Sequence, residues 1–447
     1  MTEKLFRRPA PAADLLIKNA HVLDPRTGID GQHDLLVREG KIAELGAPGS
    51  LSAESLPPTA PTMDATGKHL FPAFVDPHVH LRSPGQEYKE NLETGTAAAA
   101  AGGFCQLIAM PNTSPVIDAV TVLRSLTTVA SQQAQVPTGF LASITVGLLG
   151  SDLSPMAALA DAGALGFTDD GKPVTSAGML RKALQYQRLA GGVIALHEED
   201  PALSGAGVMH EGAVSARLGV TGIPSISEST MVARDSAIAK FEDARMHFQH
   251  LSCVESVQAL AYWREAGARV SGEATPHHLT LTHEDVRSLD TRFKMNPPLR
   301  TEVDRQALIE GLRSGVIECI ATDHAPHARF EKEMPFEQAP MGTTGLETAF
   351  AAVYNELVKP GILPLELVVE RMTAGGALYG LAVPKIETDA QANLVLVNLE
   401  ASWTVGEHGY VSRSQNCCFH GRTFAGVVEM TIAAGSVVYE HGKELDR

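Results

Sequence analysis

The rhythm of apolar and polar positions changes twice along the 447-residue chain. Over residues 14–70, LLIKNAHVLD, DLLVREGKIAELG and the segment up to ATGKHL read as short strands separated by turn residues, with REGK as a tight turn. Residues 386–447 repeat that rhythm in ANLVLVNLE and GRTFAGVVEMTIAAGSVVYEHGK. Each end alone is too short to bury a stable core. The expectation is one small composite β-sandwich made of 14–70 together with 386–447.

Between the ends, across 71–385, short apolar runs alternate with longer helical stretches. The runs are HLFPAFVDPHVH, GFCQLIAMPN, GFLASITVG, ALGFTDD, GGVIALHEE, ARMHFQHLS, ARVSGEATPHH and VIECIATDHAPH. Helical segments such as NLETGTAAAAAG, SAGMLRKALQYQRLAG and EVDRQALIEGLRSG separate them, several ending in a glycine suited to the C-cap. Eight strand–helix units in series predict an α/β fold, a (β/α)8 TIM-type barrel. An open doubly wound sheet is the alternative, but no Gly-rich phosphate fingerprint follows any run.

Barrels of this kind carry their chemistry at the C-terminal ends of the strands, and polar residues collect there. The stretch VDPHVHLRSPG (75–85) ends the first run. Residues two apart on a strand share a side, so His78 and His80 face one way and Arg82 continues the row. Alone, such a pair reads as half a metal site or as two hydrogen-bonded histidines at a rim. Run two ends in Asn112, run four in Asp169 and Asp170, run five in His197, run six in His250, and run eight in Asp323, His324 and His327. Four of these histidines (His78, His80, His197, His250) and two of the aspartates (Asp170, Asp323), at ligand-compatible ends of five strands, favour metal binding. They exceed the needs of one four-coordinate zinc, and two ions sharing a bridging ligand fit the count better.

Charge and cysteine usage narrow the setting. The formal net charge is -16, with no basic stripe, so nucleic acid and anionic membrane surfaces are poor partners. Cys105, Cys253, Cys319, Cys417 and Cys418 show no framework spacing and read as reduced thiols of a cytoplasmic protein. The N-terminus lacks an apolar core of signal-peptide length.

The motifs DPHVHLR, AMPNTSP, GFTDDGKPV, ALHEED, FQHLS, KMNPPLR, ATDHAPH and PMGTTGLET, with the C-terminal SRSQNCCFHGRTFAGVV, resemble the amidohydrolase superfamily and, within it, the class I dihydroorotases. The resemblance covers nearly the whole chain. It implies reversible, zinc-dependent cyclisation of N-carbamoyl-L-aspartate to L-dihydroorotate in pyrimidine biosynthesis. It also implies that His78, His80 and Asp323 bind one zinc and His197 and His250 a second, with Asp170 bridging. Asp323 would carry the proton between attacking water and the leaving ring nitrogen. His80, Arg82, Asn112 and His327 would meet the substrate carboxylate, Asn296 the ring, and backbone groups of Met341 and Gly342 the pyrimidine edge. The polar segment 328–340 reads equally as a lid or as a passive surface loop.

Hydantoinases and allantoinases, the other cyclic-amide hydrolases of the superfamily, typically bridge their metals with a carboxylated lysine after strand four. Here GFTDDGK puts Lys172 beyond a glycine, which favours Asp170 as the bridge. Glu198 and Met341 depart from residues common in relatives, although neither removes a ligand. A third reading is a non-catalytic partner of aspartate carbamoyltransferase, against which the complete ligand set counts. Besides the small-molecule substrate, the expected partners are a second copy of the chain and a complex with aspartate carbamoyltransferase.

Overall fold

In the computed structural model residues 4–443 are described, so the last four residues of the C-terminal segment fall outside. The strands in chain order are β1 (Leu15–Asp24), β2 (Ile29–Arg38), β3 (Lys41–Gly46), β4 (Thr62–Asp64), β5 (His69–Pro72), β6 (Phe74–Val79), β7 (Phe104–Ala109), β8 (Thr138–Phe140) and β9 (Gly166–Thr168). They continue with β10 (Val193–Leu196), β11 (Met209–His210), β12 (Gly222–Ile223), β13 (Met246–Phe248), β14 (Val270–Ala274), β15 (Cys319–Ile320), β16 (Leu394–Thr404), β17 (Thr423–Ala433) and β18 (Ser436–Glu440).

The two ends of the chain meet, but in one hydrogen-bonded sheet of order β18-β17-β16-β5-β1-β2-β3, with β4 against β1. Where a composite sandwich is expected, the hydrogen-bond pattern shows one continuous sheet. The cause is β5, which pairs with β1 through His21–His69 and Val22–Leu70 and with β16 through four residue pairs, fusing the N- and C-terminal halves. Alternation gives the sheet two buried faces. On β16, Leu394 and Leu396 join Ile17, Val22, Leu35 and Ile432 in one core, whereas Val395 and Val397 join the core of the central body. The REGK turn forms as expected. Glu39 and Gly40 both take positive φ (50° and 74°), as a two-residue hairpin turn of this hand requires. A Cβ on Gly40 would lie 2.8 Å from the Gly435 carbonyl, so this turn also packs against the C-terminal hairpin.

The first run also supplies β5 of the terminal sheet, and each of the eight central runs contributes one parallel strand. They form a three-stranded sheet, β6-β7-β8, and a five-stranded one, β15-β14-β13-β10-β9. Single parallel bridges lie at both seams, Ala142 with Phe167 and Val79 with His324. The helices between them are capped as their sequences dictate. Asn91 and Thr94 form a capping box before Leu92–Ala101, Thr301 and Asp304 another before Glu302–Ser314, and Gly315 closes the latter at φ 79°. Two further long helices, Val120–Gln133 and Ile226–Glu242, fill other crossovers. No helix among the described residues is long and apolar enough to cross a membrane.

Candidate active site and metal centre

Because the central strands run parallel, their C-terminal ends open on one side, where the polar residues converge. His78 lies in β6 and His80 just beyond it; Asn112 follows β7, Asp170 β9, His197 β10, His250 β13 and Asp323 β15. A cavity of about 240 Å³ sits there. It is lined by every sequence-predicted site residue except His78: His80, Arg82, Asn112, Asp170, His197, His250, Asn296, Asp323, His327, Met341 and Gly342. His78 is fully buried in the wall behind. Asp323, His250 and Arg82 all hold positive φ (47°, 33° and 57°), strain that the surrounding packing sustains at the mouth of the site.

The nitrogens and oxygens point at shared spaces. His78 Nε2 is 3.5 Å from both Asp170 Oδ1 and Asp323 Oδ1. His80 Nε2 is 3.0 Å from Asp323 Oδ1 and 3.4 Å from Asp170 Oδ2. His250 Nε2 lies 3.7 Å from Asp170 Oδ1 and 2.9 Å from His197 Nδ1. Among the described residues three groups meet the spatial requirement for one cation: His78–His80–Asp323 and His78–Asp170–His250 at the cavity, and His247–Glu273–Cys319 behind it. His78 Nε2 is buried with no hydrogen-bond partner, which suits a lone pair waiting for a cation.

The far ring nitrogens fix these tautomers. His78 Nδ1 is 2.6 Å from Glu273 Oε1, and His80 Nδ1 donates to Asn112 Oδ1 at 2.9 Å, which turns both Nε2 atoms toward Asp170 and Asp323. Asn112 in turn donates to Asp170 Oδ2 at 3.0 Å. His197 Nε2 is 3.3 Å from Glu199 Oε2, which leaves Nδ1 facing His250. Burial opposes charge on His78, Asp170 and Asp323, yet mutual attraction prevails. Glu273, Asp170 and Asp323 raise His78 well above the ordinary imidazole value. His78 and His80 keep Asp170 and Asp323 well below the usual carboxylate range.

Sequence alone had assigned no role to Glu273 or Glu199. Glu273 is fully buried at the end of β14, where burial works against ionisation but His78 and His247 hold its carboxyl down at about 2. Its Oε2 accepts from His247 at 3.0 Å and its Oε1 from the backbone amide of His250 at 3.2 Å. Glu199 accepts from Asn296 Nδ2 at 2.6 Å. The available signal was the glutamate inside the seventh apolar run and the acidic pair after His197.

Other residues separate cleanly. Asp169 turns away and accepts from the backbone amides of Ile144 and Thr145, at 2.8 and 3.0 Å, pinning the β8 and β9 ends. Burial pushes its carboxyl up to about 6. Lys172 is exposed. His324 is held by the Gly345 amide on one side and Glu90 on the other, as a structural histidine. His277 is buried with an unpartnered Nε2. Arg82 Nε donates to the Pro326 carbonyl at 3.1 Å with its guanidinium at the cavity. His327 Nε2 donates to the Met341 carbonyl at 2.8 Å, and burial together with Arg82 lowers the imidazole to about 2, so it stays neutral. The Gly342 amide donates to the Lys294 carbonyl, and its own carbonyl accepts from Lys332 and Asn416. Those backbone groups are therefore engaged within the protein.

With that geometry described, similarities to known proteins take on meaning. The family model described as Dihydro-orotase-like matches residues 67–256. A dihydroorotase of Anaeromyxobacter dehalogenans is 42% identical over 435 residues, covering 96% of this chain and 98% of that protein. One from Pelotomaculum thermopropionicum is 42% identical over 427 residues, covering 95% and 98%. Among solved structures, an L-hydantoinase (dihydropyrimidinase) of Arthrobacter aurescens superposes with a TM-score of 0.84 at 25% identity, covering 97% of this chain and 98% of that one. A dihydropyrimidinase of Brevibacillus agri NCHU1002 shares the fold with a TM-score of 0.80 at 22% identity over 96% of each chain. Sequence identity of this extent, over nearly the full length of both partners, means that the chain belongs to the dihydroorotase family.

Proposed function

We propose that the chain is a metal-dependent dihydroorotase that interconverts L-dihydroorotate and N-carbamoyl-L-aspartate. The observation that carries the reading is Asp323 Oδ1 beside His80 and His78 on a cavity floor that Arg82 also reaches. His78, His80 and Asp323 would hold one zinc, His197 and His250 a second, and Asp170 both. When bound, such ions polarise a carbonyl and make water nucleophilic at neutral pH.

The chain's own residues supply the rest. Arg82 brings a fixed cation to meet the substrate carboxylate in an otherwise acidic cleft. In hydrolysis, a C–O bond forms at the ring carbonyl as the C–N bond breaks. Asp323 takes the proton from the attacking water and delivers it to the leaving ring nitrogen. Ring closure reverses this, with Asp323 taking the proton from the carbamoyl nitrogen and releasing it with the departing water. Asn296, steadied by Glu199, faces the ring. In this reading 71–385 is a closed (β/α)8 barrel, supported by the bridges at both seams, and 14–70 with 386–447 is a second domain. A second copy of the chain and aspartate carbamoyltransferase are proposed as partners on the family resemblance.

The hydantoinase reading draws on the structural neighbours, but exposed Lys172 stands apart from the cluster that a carboxylated lysine would have to bridge. The test is the zinc-loaded chain assayed on L-dihydroorotate, hydantoin and allantoin side by side. Turnover of L-dihydroorotate, with the other two idle, is expected. Preference for either of the others would overturn the assignment.

A further inference from the structure

Lys332 is the last residue of the short helix Arg329–Lys332, within the polar segment 328–340. Its side chain is buried at 8% exposure, which is unusual for a lysine. Nζ donates to three backbone carbonyls: Pro340 at 2.9 Å, Gly342 at 2.9 Å and Lys294 at 3.3 Å. Three acceptors require three N–H donors, which only an ammonium supplies. The carboxylates that act on it are committed elsewhere, Asp290 to Arg292 and Glu331 to Lys89. Burial, with Lys294 nearby, pushes the Lys332 ammonium down to about 7. A buried charge held only by carbonyl dipoles costs stability that an apolar side chain of similar length would not.

The acceptors lie on two segments that wall the cavity. Gly342 is bound to Lys294 a second time, its amide donating to the Lys294 carbonyl at 2.9 Å. The neighbouring Met341 carbonyl receives His327 Nε2. The fit has no slack, since a Cβ on Gly342 would come within 2.9 Å of both the Ala325 carbonyl and His327 Nε2. Lys332 thus ties together 294, 340–342 and, through Met341, His327, all without touching the cavity itself.

We infer that Lys332 is a positioning residue for substrate binding, its ammonium holding the Met341–Gly342 wall and His327 in the arrangement that receives substrate. This rests on the dihydroorotase reading above, and the experiment keeps the two apart. The zinc-loaded full chain is compared with Lys332→Met on L-dihydroorotate, measuring kcat, KM, zinc per chain and melting temperature. The expected result is a KM raised about tenfold or more, the scale of lost hydrogen bonds to a charged group, with kcat within about threefold and zinc content unchanged. Unchanged KM, or a fall in kcat or zinc content with KM unchanged, overturns the inference while leaving the dihydroorotase reading intact. A wild-type chain inactive on L-dihydroorotate overturns both. Should Lys332→Met fail to fold, Lys332→Gln, which retains two donors, carries the test. It is expected to raise KM by a smaller factor, and an unchanged KM there again overturns the inference.

Discussion

The core of the eight-stranded terminal sheet and the C-terminal ends of the parallel strands are both buried and opposite in chemistry. Around Ile17, Val22, Leu35, Leu396 and Ile432 the sheet packs aliphatic side chains against each other. Such contacts are non-directional, and each side chain is replaceable by another of similar volume. At the strand ends the chain buries His78, His80, Asp170, His250, Glu273 and Asp323 together. Each of those groups loses hydration and recovers it only through its neighbours. The contrast teaches where stability and function are separable. The sheet supplies one without the other, and the strand ends hold a donor set whose value lies in what it binds.

The sharpest way to break that comparison is to change one atom at the strand ends. Asp323→Asn keeps shape and removes the proposed proton carrier, so kcat should fall by about 10³–10⁴ while the protein melts near the wild-type temperature. Asp170→Ala should abolish tight zinc binding, measured by metal content after dialysis, yet leave the metal-stripped protein melting within about 3 °C of wild type. A comparable collapse of metal-stripped stability would erase the distinction drawn here.

In the sheet the reverse is expected. Leu396 is fully buried, and Leu396→Ala should lower unfolding free energy by about 3 kcal/mol in denaturant titration. The kcat of the folded fraction should stay within about twofold of wild type. A loss of activity beyond the loss of folded protein would show that the sheet shapes the site. Of smaller size, Arg82→Leu should raise KM for L-dihydroorotate roughly thirtyfold, the equivalent of about 2 kcal/mol, with zinc content unaltered.

The smallest effect concerns a buried titrating group outside the proposed metal site. Burial, helped by Arg300 and His283, holds His210 down at about 4 against an ordinary value of 6.5. Between those values the folded chain binds fewer protons than the unfolded one, so this contribution is present above pH 6.5 and is lost as pH falls toward 4. His210→Gln should therefore melt below wild type at pH 7, and the gap should narrow by roughly 3 °C at pH 5. A constant gap would contradict the assignment.

The parallel strands and the convergence of polar residues at their C-terminal ends were legible because each signal is local. An apolar run ends in a histidine or aspartate, and HxH on one strand face needs no tertiary knowledge. Glu273 was not legible, because it lies 195 residues from His78 and its role exists only once β14 stands near β6. Lys332 was hidden for a similar reason, since its three carbonyl partners carry no side-chain signature. The terminal sheet misled in a different way. Alternation marks strands with a buried face but does not say which strand pairs with which, so nothing in HLFP announced that β5 would join β1 to β16.

The most direct test of the central claim is a zinc titration of the chelator-stripped chain, following bound zinc and L-dihydroorotate turnover together. The account predicts negligible turnover without metal and a rise in step with bound zinc that saturates when the His78–His80–Asp323 and Asp170–His197–His250 ligands are filled, with Asp170→Ala failing to follow it. Full turnover by the stripped chain would contradict it.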